Sequence, residues 1–235
     1  MTKEITKTET NLPSTTNEDF QDFSINQEDI VISKILLMQP ISDMVSQEKA
    51  KYGDFVDSLT KTVIGDSSKG IKFIPLSFKK FHIISSKGAD GKFKFTRIDP
   101  ILNAVDDAKP YQDIENGVVI ERKKIMEFFV LCPELSELPF SIQFKGMSVK
   151  AGKALYTTAF VMAKMAKKMP YETTFLLTAD KTKNDKGNFA VLNSRVLSAT
   201  PKDSIAKAKA WYQTANSSNA IVTAQDEEEQ TEIPF

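Results

Sequence analysis

Short segments rich in aromatic and β-branched residues dominate the chain after residue 70, and turn-forming residues separate them. This pattern predicts strands at residues 71–84, 92–98, 117–121, 124–131, 139–144, 173–179 and 188–199. Pro75 lies inside the first of these segments, which predicts a bulge or a sheet edge at that point. An apolar run at residues 30–38 opens the folded part, whereas residues 41–70 show no pattern that we can assign.

Two helices are predicted among these strands. Apolar residues recur at helical spacing through residues 148–169, and Pro170 ends the run. We interpret the methionines of this helix as residues that pack in the core. A shorter helix should begin after Thr200, because a capping threonine, a proline and an acid follow one another there. Its apolar face would consist of Ile205, Ala208 and Tyr212.

The order of these elements favours a mainly β fold. Several strands, one long helix, two more strands and a short helix suit a small antiparallel barrel with a helix inserted before its last strands, whereas a parallel sheet would alternate strand and helix throughout. Residues 1–28 are too poor in apolar side chains to fold, so we expect a disordered acidic segment there. A single domain would cover residues 29–213, and a flexible linker with an acidic tail would cover 214–235.

The net charge of zero is the sum of three segments whose charges differ in sign. Residues 1–29 carry two lysines and seven acids, and residues 226–235 carry five acids and no base. Residues 30–225 therefore hold 29 basic and 19 acidic residues, a surplus of +10. A basic body between acidic ends points to a polyanion as the partner, although acidic ends that only aid solubility would give the same count.

Several classes of protein are disfavoured by what the sequence lacks. No run approaches the roughly 20 apolar residues of a membrane-spanning helix, and the N-terminus lacks the features of a signal peptide, so we expect a cytoplasmic protein. Cys132 is the one cysteine and His82 the one histidine, so neither an internal disulfide nor a structural Cys/His zinc site can form. We expect no metal and no cofactor, and we interpret His82 as a structural residue. Phosphate-binding glycine motifs are absent.

The last ten residues, DEEEQTEIPF, are the most specific feature of the chain. Acids precede an apolar tip that can enter a pocket while its terminal carboxylate meets a basic group. This tail resembles the C-terminal tail of bacterial and phage single-stranded DNA-binding proteins, in which an acidic run precedes Ile-Pro-Phe. Gln230 and Thr231 interrupt the acidic run, and the length of the body suggests a divergent phage member. The tail residues are Asp226, Glu227, Glu228, Glu229, Glu232, Ile233, Pro234 and Phe235.

This resemblance implies an oligonucleotide-binding barrel (OB-fold) and a function without catalysis. Such a protein coats and protects single-stranded DNA during replication, recombination and repair, and its tail recruits DNA polymerase, helicase or primase, or nucleases. A homo-oligomer such as a dimer is compatible with it. If the protein is encoded by a phage, it would act in the cytoplasm of the bacterial host.

Binding of single strands without sequence preference requires cations that follow the phosphates and aromatic rings on which bases stack. Two adjacent predicted strands between residues 78 and 97 interleave these residue types, although in a barrel Phe93 and Phe95 are more often core residues than stacking platforms. Basic clusters elsewhere are weaker candidates. The candidate DNA-binding residues are Lys72, Phe78, Lys79, Lys80, Phe81, Lys92, Phe93, Lys94, Phe95, Arg97, Arg122, Lys123, Lys124, Lys181 and Lys183.

Two other functions remain open at this stage. An enzyme acting on nucleic acid, such as a metal-dependent nuclease or an annealing recombinase, would share the basic body. An adaptor that binds proteins through its acidic tail would not need DNA at all. The acids of the chain do not show the dispersed carboxylate pattern typical of a nuclease.

Overall fold

The computed structural model describes residues 31–185 and 187–217. Ten strands lie in these ranges: β1 (Ser33–Leu37), β2 (Phe55–Asp57), β3 (Val63–Gly65), β4 (Ile71–Lys87), β5 (Phe93–Pro100), β6 (Gln112–Glu115), β7 (Val118–Leu131), β8 (Phe140–Lys145), β9 (Thr173–Asn184) and β10 (Gly187–Ala199). The α-helices are α1 (Asp43–Ser46), α2 (Ala104–Asp107), α3 (Val149–Tyr156), α4 (Ala163–Met165) and α5 (Lys202–Ser217). A π-helical segment, Thr157–Met162, joins α3 to α4 into one long helix.

The strands form one mixed sheet in the order β10-β9-β4-β7-β8-β1-β2-β3, with β5 added to β4 and β6 added to β7. All the pairs are antiparallel except the one between β1 and β8, which is parallel. The long strands β4 and β7 lie at its centre, and their register shifts between Pro75 and Ser77. The predicted bulge at Pro75 is therefore confirmed.

Helices cover both faces of the central pair, β4 and β7. Successive residues of a strand point to opposite faces, so Phe128 and Phe129 belong to different clusters. Phe128 packs with Phe144 of β8 and Leu155 of α3 in the larger core. Phe129 packs with Leu76 and with Ala208 of α5 in a second core on the other face. The long helix and α5 therefore lie on opposite sides of the sheet.

The sheet is not closed into a barrel by strand pairing within the described ranges. A side-chain amide instead links the segment after β1 to the edge strand β10: the Nε2 of Gln39 donates to the carbonyl of Ala190 in β10 (3.1 Å). The Oε1 of Gln39 accepts from the Ala190 N–H (2.9 Å). Gln39 thus satisfies both backbone groups of a buried residue, as a neighbouring strand would.

The structure confirms the mainly β class and the helix inserted before the last two strands. The predicted strands 117–121 and 124–131 are one strand, β7, and β6 was not predicted at all. The second helix has the expected apolar face but continues to Ser217, so the linker does not begin at residue 214. The predicted disordered segment 1–28 and the acidic tail lie outside the described residues.

Replacing Gln39 with Ala should leave the N–H and C=O of Ala190 without partners. Ala190 is buried, so we expect a loss of about 1–3 kcal/mol in the free energy of unfolding, measured by urea denaturation. Replacing the exposed Gln47 with Ala is the matched control and should change stability little. Equal stability of the two variants would show that the amide link does not hold the sheet together.

Candidate nucleic-acid interface

The far ends of β4 and β7 extend into a smaller four-stranded region, which we call the distal sheet. Residues 81–87 of β4 pair with β5 on one side and with β7 on the other. β6 pairs with the start of β7, so the order is β5-β4-β7-β6. The register of these strands assigns each side chain to one of two faces, because residues directly opposite each other share a face.

The first face, the ion-pair face, carries Arg97, Arg122 and Lys124 together with their acidic partners. Arg97 binds Asp99 (2.9 Å) and Glu115 (2.7 Å). Arg122 is buried and binds the same Glu115 through its Nη2 (2.6 Å). Hydrogen bonds from Arg97, and then from Arg122, hold the pKa of Glu115 below its usual range. The cations of this face are therefore largely neutralised within the protein.

Ion pairs also neutralise lysines of this face near α2, where one carboxylate forms salt bridges with two lysines. Asp107 binds Lys124 (2.8 Å) and Lys80 (3.2 Å). The hydrogen bond from Lys124 is the main cause of a lowered pKa at Asp107. At the tip of the hairpin that joins β4 to β5, Lys94 binds Asp90 (3.2 Å).

The second face, the aromatic face, is open. The pairing of Ser85 with Phe95 and of Lys87 with Phe93 places both rings on the side that also carries Phe81, Ile83 and Ile98. Phe95 is 54% exposed and Ile98 is 48% exposed, so these residues are not core. Lys87 lies on the same face, is exposed, and forms no salt bridge with a described residue. An open sheet face with exposed rings beside a cation can stack bases and contact phosphates.

Other predicted DNA-binding residues lie in positions less suited to contact with DNA. Phe78 packs between Phe128 and Tyr156, with ring centroids 4.9 and 4.6 Å away, and so belongs to the core. Arg122 is only 5% exposed, which removes it from the candidate interface. Lys79 lies over the ring of Phe129, on the face that α5 covers.

Three further predicted residues lie at the edges of these regions. Lys72 forms an exposed salt bridge with Glu134 (2.7 Å) near the start of β4. Lys92 is exposed beside Phe93 and has no salt bridge with a described residue. Lys123 lies on the aromatic face, opposite Ile83, and is half-buried.

Lys181 and Lys183 lie at the other end of the sheet. β9 runs antiparallel to β4 and passes its Ile71 end, away from Phe95. The ammonium group of Lys181 lies 5.1 Å from the ring centroid of Tyr52, beside an open cleft of about 680 Å³. The structure therefore does not bring these two lysines together with the aromatic face.

Three residues of the aromatic face were not predicted. Ile83, Lys87 and Ile98 continue the alternation that Phe81, Phe93 and Phe95 begin, so strict alternation could have identified the first two. Alternation alone would place Ile98 on the opposite face from Phe95. The register shifts between Ile84 and Ser85 and leaves Thr96 as an extra residue in β5, so Ile98 lies on the aromatic face.

Groups typical of catalytic sites are few in the part of the chain that the structure describes. No three His, Cys, Asp or Glu residues gather there as a metal site would require. Burial raises the pKa of the Cys132 thiol, which leaves it unreactive as a nucleophile. In the same ranges, no helix has the length and apolar character needed to span a bilayer.

His82 is buried on the ion-pair face opposite Lys124. Burial is the main cause of its lowered pKa, and the charges of Lys124 and Arg122 lower the pKa further. The folded protein therefore favours the neutral imidazole, which agrees with a structural role.

Stability should fall as the pH drops below about 6.5, the pKa of histidine in the unfolded chain. Unfolding allows His82 to bind a proton in this range, so its contribution is complete above pH 6.5 and is lost as the pH falls through the folded-state pKa. Urea denaturation between pH 7.5 and 5 should show this slope, and His82→Asn should remove it. The pKa values of Glu115 and Asp107 are lowered, so these carboxylates stay ionised in the folded protein across this range. An unchanged slope in His82→Asn would contradict the assignment.

Comparison with known proteins identifies the family of the chain. No curated protein and no solved structure matches the chain. A family model described as Pam3 phage gp34-like protein matches residues 7–227, which is nearly the whole chain. The matched range includes the cores on both faces of the sheet and the distal sheet. The protein therefore belongs to the Pam3 phage gp34-like protein family.

Proposed function

We propose that the protein binds single-stranded DNA without sequence preference, through the aromatic face of the distal sheet. The observation that carries the proposal is the open position of Phe95, beside Phe93 and close to Lys87, on the face that also carries Phe81. Bases of any sequence can stack on such rings, because every base has a π-face, and lysines contact the backbone phosphates without reading a sequence.

The strand order supports the proposal. β8, β7, β4, β9 and β10 are neighbours in that order, and the long helix lies between β8 and β9 in sequence. An OB-fold has five strands in a partly open barrel and binds oligonucleotides on its face and through loops between its strands. In this chain the connection between β4 and β7 carries the distal sheet. The aromatic face thus lies on an enlarged form of a loop that binds oligonucleotides in that fold.

The proposed role is non-catalytic: the protein coats transient single strands of a phage replicon in the host cytoplasm. The acidic tail would recruit replication enzymes or nucleases, as the resemblance of DEEEQTEIPF implies. The first test is fluorescence polarisation with labelled oligo-dT and with a duplex of equal length. Preference for the single strand supports the proposal, whereas equal affinity for the duplex contradicts it. Magnesium-dependent shortening of the oligonucleotide would favour the nuclease instead.

Replacing Phe95 with Ala should weaken binding of oligo-dT by about 1–3 kcal/mol, which is about five- to 150-fold, because one stacking ring is lost. Phe95 is more than half exposed, so the thermal unfolding midpoint should change little. Leu102→Ala, at another exposed apolar residue, is the control and should bind as the unmodified protein does. If Phe95→Ala also binds normally, the DNA site lies elsewhere.

Replacing Lys87 with Ala should reduce the salt dependence of binding. Each lost phosphate contact lowers the slope of log affinity against log salt by about 0.7 for single strands. Lys202→Ala, at an exposed lysine of α5, is the control of equal charge. The proposed path of the phosphates is wrong if both variants change the slope equally.

A further inference from the structure

The long helix exposes a group of apolar residues that its sequence pattern assigned to the core. Met165 is 80% exposed, Met162 is 56% exposed, and Val161 lies beside them. Leu155 and Ala159 do face the core, so the core prediction holds for the first half of the helix but is wrong for these methionines. Exposed methionines often form adaptable protein-binding surfaces, because the side chain is flexible and polarisable.

Lysines flank this apolar group. Lys164 and Lys168 are exposed next to Met165, and Lys150 and Lys153 lie earlier on the exposed side of the helix. None of these four lysines forms a salt bridge with another residue in the described ranges. Residues 138–171 contain no Asp or Glu at all. We call Val161, Met162, Lys164, Met165 and Lys168 the methionine–lysine face.

A partner for this face must be acidic and must carry large apolar side chains. The last ten residues of this chain have both properties, because five acids accompany Ile233 and Phe235. The acids would meet the lysines, and the apolar tip would cover the methionines, so that charge and hydrophobic surface are both complementary.

We propose that the methionine–lysine face binds the tail, residues 226–235, of a second copy of the chain. The tail follows α5, which lies on the opposite side of the sheet from the long helix. A chain's own tail would have to pass around an edge of the sheet to reach this face. The 16 residues from Ser217 to Ile233 span at most about 55 Å when fully extended, and holding them around the sheet costs conformational entropy that binding to a second copy avoids.

Binding between copies carries no such constraint. It joins two different surfaces of the same molecule, so each bound copy still offers one free tail and one free face, and the assembly can grow along a line. This inference does not depend on the proposed DNA binding, because the methionine–lysine face is separate from the aromatic face.

The first test measures binding of a labelled peptide, residues 226–235, to protein truncated after Gln225, by fluorescence polarisation at low salt. Met162→Ser with Met165→Ser should weaken binding at least about tenfold, and so should Lys164→Glu with Lys168→Glu. The matched controls are Leu102→Ser with Val105→Ser, and Lys202→Glu with Lys209→Glu, which should stay within about twofold. A peptide without Ile233, Pro234 and Phe235 should not bind. Equal binding to all variants would overturn the assignment of the face.

The second test separates binding between copies from binding within one molecule. The full chain should form larger species as its concentration rises in analytical ultracentrifugation, whereas the truncated protein and the full-length Met162→Ser, Met165→Ser variant should each remain monomeric. A mixture of these two should form a one-to-one pair that grows no further, because it offers one working tail and one working face. A full chain that stays monomeric while the peptide binds to the truncated protein would place the tail on its own molecule and refute the proposal.

Discussion

The pairing of β4 with β7 is the interaction on which the rest of the structure depends. Their register runs from Ile74 opposite Leu131 to Ser86 opposite Ile120, and it fixes which side chains face each helix. A shift by one residue would exchange Phe128 and Phe129 between the two cores, where Leu155 and Ala208 already occupy defined positions. Burial on both faces therefore specifies this register strongly. Every other strand is added, directly or through a neighbour, to this pair.

The helices cover only part of this pair, and the difference between the two ends accounts for the candidate site. Beyond Phe81 the strands continue without a helix on the face that carries Phe95, while Arg97, Arg122 and Glu115 form ion pairs on the other face. The ion-pair face satisfies its polar groups internally. The aromatic face leaves large apolar side chains in water, and exposed apolar surface of this kind generally marks a binding site.

Local sequence patterns predicted β4, β5, β7, β8, β9 and β10, the bulge at Pro75 and the helix after Thr200, because each depends on neighbouring residues. They missed β6, although Asn116 and Gly117 both have positive φ in the turn before β7 and form a typical hairpin signal. They could not separate Phe78 from Phe95, since both alternate with lysines and only long-range packing buries the first. Likewise, the exposure of Met165 and the burial of Arg122 depend on which distant segments cover them.

The ion pairs of the structure reduce the positive charge that residues 30–225 present to a partner. Arg97, Arg122 and Lys124 are matched by carboxylates, so they add little to the field that an external polyanion experiences. The lysines without a salt bridge in the described ranges lie in separate places, with Lys87 at the aromatic face and Lys164 at the methionine–lysine face. A nucleic acid and an acidic tail then need not compete for one groove. Because lysines contribute to both proposed contacts, we expect both to weaken as salt rises, whereas loss of aromatic rings should affect only the first and loss of methionines only the second.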